Sequence, residues 1–124
     1  MIWTVNRDAA TGIIHVTYEG KITLQDVIEA TDKAYLIAEG DGPHLFLTDF
    51  VDVISTLRID ELFWLPEHWD KLGFSRRNKL AIVVKESDKI YQDVRFHVVT
   101  ARSRGWQVIM CDDKETALSW LIGK

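Results

Sequence analysis

The sequence predicts an α/β fold with a mainly parallel sheet, and three observations carry that prediction. Short β-branched runs alternate with longer segments of helical periodicity in the order ββαβαβαβα. The first two strands are joined by a short turn-forming linker, which makes them an antiparallel hairpin. The later runs at residues 44–50 and 79–84 are apolar almost throughout, as expected of strands covered on both faces.

In the opening strand, residues 2–6, Ile2, Thr4 and Asn6 alternate with Trp3 and Val5. The second strand, residues 12–19, puts Ile14, Val16 and Tyr18 on one face, and Glu19-Gly20-Lys21 closes it. Between them, Arg7-Asp8-Ala9-Ala10-Thr11-Gly12 supplies the turn. Thr23 then caps a helix, with Asp26 three residues on as a shortened capping box. Leu24, Val27, Ile28, Thr31, Ala34, Tyr35 and Ala38 line one face of it. Glu39-Gly40 ends the helix, and Asp41-Gly42-Pro43 turns into the strand at 44–50.

An acidic loop at 51–55 and an aromatic-rich helix from about 57 to 72 follow, with Pro66 marking its first turns or a kink. After a polar turn at 75–78 comes the strand at 79–84. Ser87 or Asp88 caps the next helix, about 89 to 104, whose stripe is Ile90, Tyr91, Val94, Val98 and Ala101. Gly105 stops it, and residues 106–111 form the last strand. Asp112 caps a final helix, with Glu115 at the capping-box position and Ala117, Leu118, Trp120, Leu121 and Ile122 as its packing side. With helices packed on the sheet, the loops after Phe50, Val84 and Cys111 share the rim where such folds bind ligands.

At 124 residues the chain reads as a single domain, 1–124, large enough for a real core. A net charge of -4 leaves no nucleic-acid footprint, so no nucleic-acid partner is expected. Cys111 is the only cysteine, which excludes an internal disulfide and fits a reducing cytoplasm. The N-terminus lacks a signal-peptide core, and no apolar run approaches the ~18 residues of a membrane span. A cytoplasmic location is therefore expected, with any membrane contact peripheral. His15, His44, His68 and His97 show no metal spacing and are expected in strands or at the surface. No phosphate-cradling glycine loop or nucleophile elbow is present, so neither a metal nor a cofactor is expected. Cys111 reads as buried and inert, since Asp112 and Asp113 beside it would raise its pKa.

Three groups of residues are candidate sites. Asp49 and Asp52, at the strand rim, are carboxylates that could serve acid–base chemistry in a small enzyme, or simply shape a turn. Ser55 and Thr56 compete for the cap of the central helix. On that helix Ile59, Leu62, Phe63, Leu65 and Trp69 span about half the circumference, while Leu57 and Trp64 lie opposite among charges. One sheet cannot cover all of these. A ligand or lipid, a second subunit, or the neighbouring side chains must meet Leu62, Phe63, Trp64 and Trp69. Phe96 and Val99 form a second apolar patch off their helix stripe. If Phe96 lies near Trp64, one homodimer or higher homo-oligomer interface would explain both.

The ordered landmarks Tyr18-Glu19-Gly20-Lys21-Ile22-Thr23, Leu45-Phe46-Leu47-Thr48-Asp49, Lys79-Leu80-Ala81-Ile82-Val83-Val84 and Ala117-Leu118-Ser119-Trp120-Leu121 resemble the SpoIIAA-like family, relatives of STAS domains. The resemblance covers essentially the whole chain. It implies a regulatory or binding module without enzyme activity of its own. For the SpoIIAA-like branch it further implies lipid or small hydrophobic ligand binding, peripheral membrane association, and mobile helices that open a pocket. STAS relatives carry a phospho-switch in an Asp-Ser-Ser/Thr-Gly context, and the matching place is Ser55-Thr56. The pattern is not kept, because Ile54 stands where the Asp would be and Leu57 where the Gly would be.

Overall fold

The structure is a computed structural model that describes residues 2–38 and 42–123. Its element order is β1 (Trp3–Arg7), β2 (Ile14–Ile22), α1 (Leu24–Ile37), β3 (Leu45–Ser55), α2 (Ile59–Leu72), β4 (Lys79–Val83), α3 (Tyr91–Ser103), β5 (Gln107–Cys111) and α4 (Lys114–Ile122). The strands lie side by side in chain order, β1 antiparallel to β2 and every later pair parallel. This is the predicted ββαβαβαβα arrangement. The expected helix end at Glu39-Gly40, and Asp41 of the following turn, fall outside the described residues.

The pleat divides the core between the two faces of the sheet. Ile14, Val16, Phe46, Ile82 and Val108 point to the side covered by α1 and α3. Leu47, Ala81 and Val83 point to the other, where Ala117 and Leu121 of α4 meet them. This is why β3 and β4 read as continuous apolar runs: successive residues enter different cores. Thr23 caps α1 as its sequence implies. Its hydroxyl accepts the Asp26 N–H at 3.3 Å, and the Asp26 carboxylate accepts the Thr23 N–H at 2.8 Å, a pair of bonds worth about 1 kcal/mol.

Residues 51–55, expected as a loop, instead continue β3 to a length of 11 residues. A bulge conceals this in the sequence. Glu19 pairs with Val51 and Lys21 with Ile54, so a two-residue step on β2 (21 − 19) meets a three-residue step on β3 (54 − 51). Asp52 absorbs the extra residue at φ 50°, a left-handed conformation that aspartate tolerates better than most side chains. The extra residue also resets the pleat. Before it Phe46, Thr48 and Phe50 face the α1–α3 side; after it Val53 and Ser55 do.

Several expected helix starts also move. Arg58 stands at the N-cap of α2, its N–H donating to Glu61 at 2.8 Å, so neither Ser55 nor Thr56 is the cap. Leu57, assigned to that helix by periodicity, precedes it. Asp113 rather than Asp112 caps α4, accepting the Thr116 N–H at 2.7 Å. Neither Ser87 nor Asp88 caps α3. Ile90 holds that position, while Asp88 accepts the Lys85 N–H at 2.7 Å and shapes the preceding turn.

Candidate functional site

α1 buries Ala30 and Ala34, two small side chains that let its backbone approach the sheet. α2 buries Leu62, Leu65 and Pro66 instead, and it packs between α3 and α1 without a close backbone approach to any strand. Large side chains hold it away from the strands, and the gap they leave is a cavity of about 140 Å³. Val16, Tyr18, Phe46, Phe50 and Ile82 form its floor. Leu62, Leu65 and Trp69 roof it, with Val27 and Thr31 of α1 on one flank and Val94 and His97 of α3 on the other. The walls are mainly aliphatic and aromatic. Tyr18 is neutral at physiological pH: burial, followed by the charge of Asp26, pushes its phenol well above the usual range.

Pro66 leaves one gap in the hydrogen bonding of α2. A proline has no N–H, so the carbonyl four residues back, Leu62, loses its helical donor. The His97 ring of α3 lies against that stretch of backbone. Next to it, Arg104 donates to the Phe63 carbonyl at 2.7 Å and lays its guanidinium 3.9 Å from the Phe63 ring centroid. Arg104, at the end of α3, thus ties α2 to it. On the opposite side, His68 sits 2.9 Å from Asp32 of α1.

His97 is a buried histidine, contrary to the expectation of a strand or surface position. Burial pushes its pKa down to about 4; the Leu62 backbone opposes this and the Arg104 charge adds to it. The imidazole is therefore neutral at pH 7. Its Nδ1 is buried without a hydrogen-bond partner, and so is Trp106 Nε1. Both rings pack edge-on against Trp69, at 5.3 and 5.2 Å between centroids. Arg76 closes this end, 3.8 Å above the Trp106 ring and ion-paired with Asp70.

The sequence candidates separate into inner and outer groups. Leu62 and Trp69 line the cavity. Phe63 and Trp64 lie outside it, edge to face at 5.2 Å, and Trp64 is 57% exposed. Phe96 is half-buried, and among the described residues it makes no ring contact with Trp64. Ser55 lines the cavity, its hydroxyl accepting the Leu57 N–H at 3.1 Å, while Thr56 donates to the Ile22 carbonyl at 2.9 Å. Asp49 faces α4 and pairs with Lys114 at 3.3 Å, and Asp52 lies exposed on the bulge. Neither carboxylate lines the cavity. Cys111 is half-buried; desolvation, then Asp113 and Asp112, raise its pKa. Among the described residues no cluster of His, Cys, Asp or Glu is arranged to hold a metal, and no helix is long and apolar enough to cross a membrane.

His97, Trp106 and the role of Pro66 were not legible as a site. One signal existed, since His97 stands three residues after Val94 and four before Ala101, on the buried stripe of α3.

No protein-family model matches the chain, and no curated protein matches it. Among solved structures it is similar to an uncharacterized protein of the DUF3478 family with a SpoIIAA-like fold from Shewanella loihica PV-4. The TM-score is 0.63 at 19% sequence identity, covering 96% of this chain and 91% of that one. The chain therefore has a SpoIIAA-like fold, as its ordered landmarks imply.

Proposed function

We propose that this chain is a non-enzymatic binding module whose ligand is a small, largely apolar molecule held beneath α2. The cavity carries the reading: its floor is the sheet, its roof is α2, and its walls are mainly aliphatic and aromatic. Size narrows the class. A cavity of about 150 Å³ lined by apolar side chains accepts a benzene-sized molecule, and this one has about 140 Å³. A single ring or a short chain fits that space, whereas a phospholipid does not fit unless α2 moves outward. The carboxylates that would serve an enzyme, Asp49 and Asp52, lie outside the cavity and do not favour catalysis there.

The test uses toluene and phenol as probes. Either should shift the methyl NMR resonances of Leu65, Val27 and Ile82 by ring current, saturably and in proportion to occupancy. Leu57→Trp, which fills the cavity from a half-buried position outside the helix, should abolish those shifts while the protein stays folded. If neither probe perturbs these resonances up to its solubility limit, the binding reading fails.

A second reading, a regulatory module that self-associates or touches a membrane surface, is favoured by the outer face of α2. There Ile59 is 60% and Trp64 57% exposed, more apolar surface than a surface helix needs to show.

A further inference from the structure

α2 and α3 carry the same exposed pattern with opposite charge. On α2, Asp60, Trp64 and Glu67 are exposed; on α3, Arg95, Val99 and Arg102 are. Both triplets have the spacing i, i+4, i+7, which stacks three side chains on one side of a helix. Trp64 is 57% exposed and Val99 58%, so each triplet sets an uncovered apolar side chain between two like charges. The helices differ in sign as a whole. α2 holds Asp60, Glu61, Glu67 and Asp70 against Lys71, whereas the exposed charges of α3 are its two arginines. Asp60 shares its charge with Arg58 at 2.8 Å. Glu67, Arg95 and Arg102 have no ion pair among the described residues.

The two helices pack against each other over one face of the sheet. Each spans a crossover between parallel strands, so they run in the same direction. A two-fold axis along that direction, between them, lays α2 of one copy on α3 of the other. The axis then repeats the contact with the roles exchanged. Building on the second reading above, self-association, we propose that a second copy of this chain covers this face, with α2 of each copy against α3 of the other. Glu67 then meets Arg102 and Trp64 meets Val99. Charge selects this arrangement. Pairing α2 with α2 would set carboxylates against carboxylates, and an anionic lipid surface would face the acidic helix. The copy's α3 offers the opposite sign at the same spacing.

Charge reversal decides the matter, read by sedimentation equilibrium over a concentration series. The wild type should dimerise. Glu67→Arg and Arg102→Glu, both at exposed positions, should each weaken the dimer at least ~10-fold, since like charges then oppose each other twice per dimer. Mixed in equal amounts, the two variants should regain the wild-type dissociation constant within ~3-fold. One copy then presents a cation at both positions and the other an anion at both. The double variant Glu67→Arg/Arg102→Glu should regain it as well. A loss caused by damaged folding would not be mended by mixing. Single reversals without effect, or a loss that mixing does not mend, overturn the proposal. Association strengthened by Glu67→Arg and indifferent to Arg102→Glu means α2 against α2, and overturns it too. A wild type that stays monomeric yet pellets with vesicles overturns the dimer and leaves the second reading standing through the membrane. A monomer that does neither ends both, while the cavity beneath α2 is judged separately by toluene and phenol.

Discussion

His97 is neutral in the folded chain and free to protonate once unfolded, so acid should weaken the fold through this one side chain. Its pKa falls from 6.5 to about 4 on folding, chiefly through burial. Because the folded value lies below the unfolded one, the unfolded chain takes up the proton first as the pH drops. The contribution is complete above pH 6.5 and is lost as the pH falls toward 4. The difference of about 2.5 between those values corresponds to about 3 kcal/mol in full, at 1.36 kcal/mol for each tenfold change in affinity. At pH 5 roughly 2 kcal/mol of it is gone. Urea unfolding at pH 7 and pH 5 reads this directly, as a midpoint drop of roughly 1 M. The control is His97→Gln, whose amide is polar but does not titrate in this range. Its midpoint should move by less than half as much. The exposed carboxylates with lowered pKa, such as Asp70 and Asp113, stay ionised in both states at pH 5 and do not blur the comparison. Equal pH dependence in the two proteins would refute the reasoning, because it would mean that His97 is as easily protonated folded as unfolded.

Two further perturbations address the bulge and the outer face of α2. Asp52→Gly should change stability by no more than ~0.5 kcal/mol, whereas Asp52→Val, forced to φ 50° with a β-branched side chain, should cost about 1–2 kcal/mol. Urea unfolding that found both variants alike would count against the bulge. Trp64→Ala should leave stability within ~1 kcal/mol, since the ring is 57% exposed, but should weaken self-association in sedimentation velocity or pelleting with phosphatidylcholine–phosphatidylglycerol vesicles. No change in either assay removes Trp64 as an interface residue.

Much of the architecture is written locally in this chain. The periods of two and 3.6 residues, the Thr23–Asp26 box and the glycines at helix ends specify which segments are strands and helices. Their order then leaves little choice but a hairpin followed by parallel pairing. Even the continuous apolar character of β3 and β4 announces a sheet covered on both sides, since neighbouring residues supply different cores. Local pattern failed where backbone geometry broke the period. The extra residue at Asp52 reverses the alternation halfway along β3, so a strand reads as an acidic loop and Ser55 as a cap.

The site itself was decided by tertiary packing. Helical periodicity showed that α2 carries too much apolar surface for one contact, and two of its residues, Leu62 and Trp69, line the cavity. How far α2 stands from the sheet was another matter. That distance depends on Leu62 and Leu65 meeting large side chains contributed by β2, β3 and α3, whereas α1 closes down on alanines. Pro66 looked like a helix-start or kink residue in one dimension. In three dimensions it belongs to a helix packed against α3, whose histidine 31 positions later (97 − 66) lines the cavity beneath that helix. Such pairings join residues far apart in the chain. Sequence pattern registers periodicity within an element, but not which orphaned group on one element finds its partner on another.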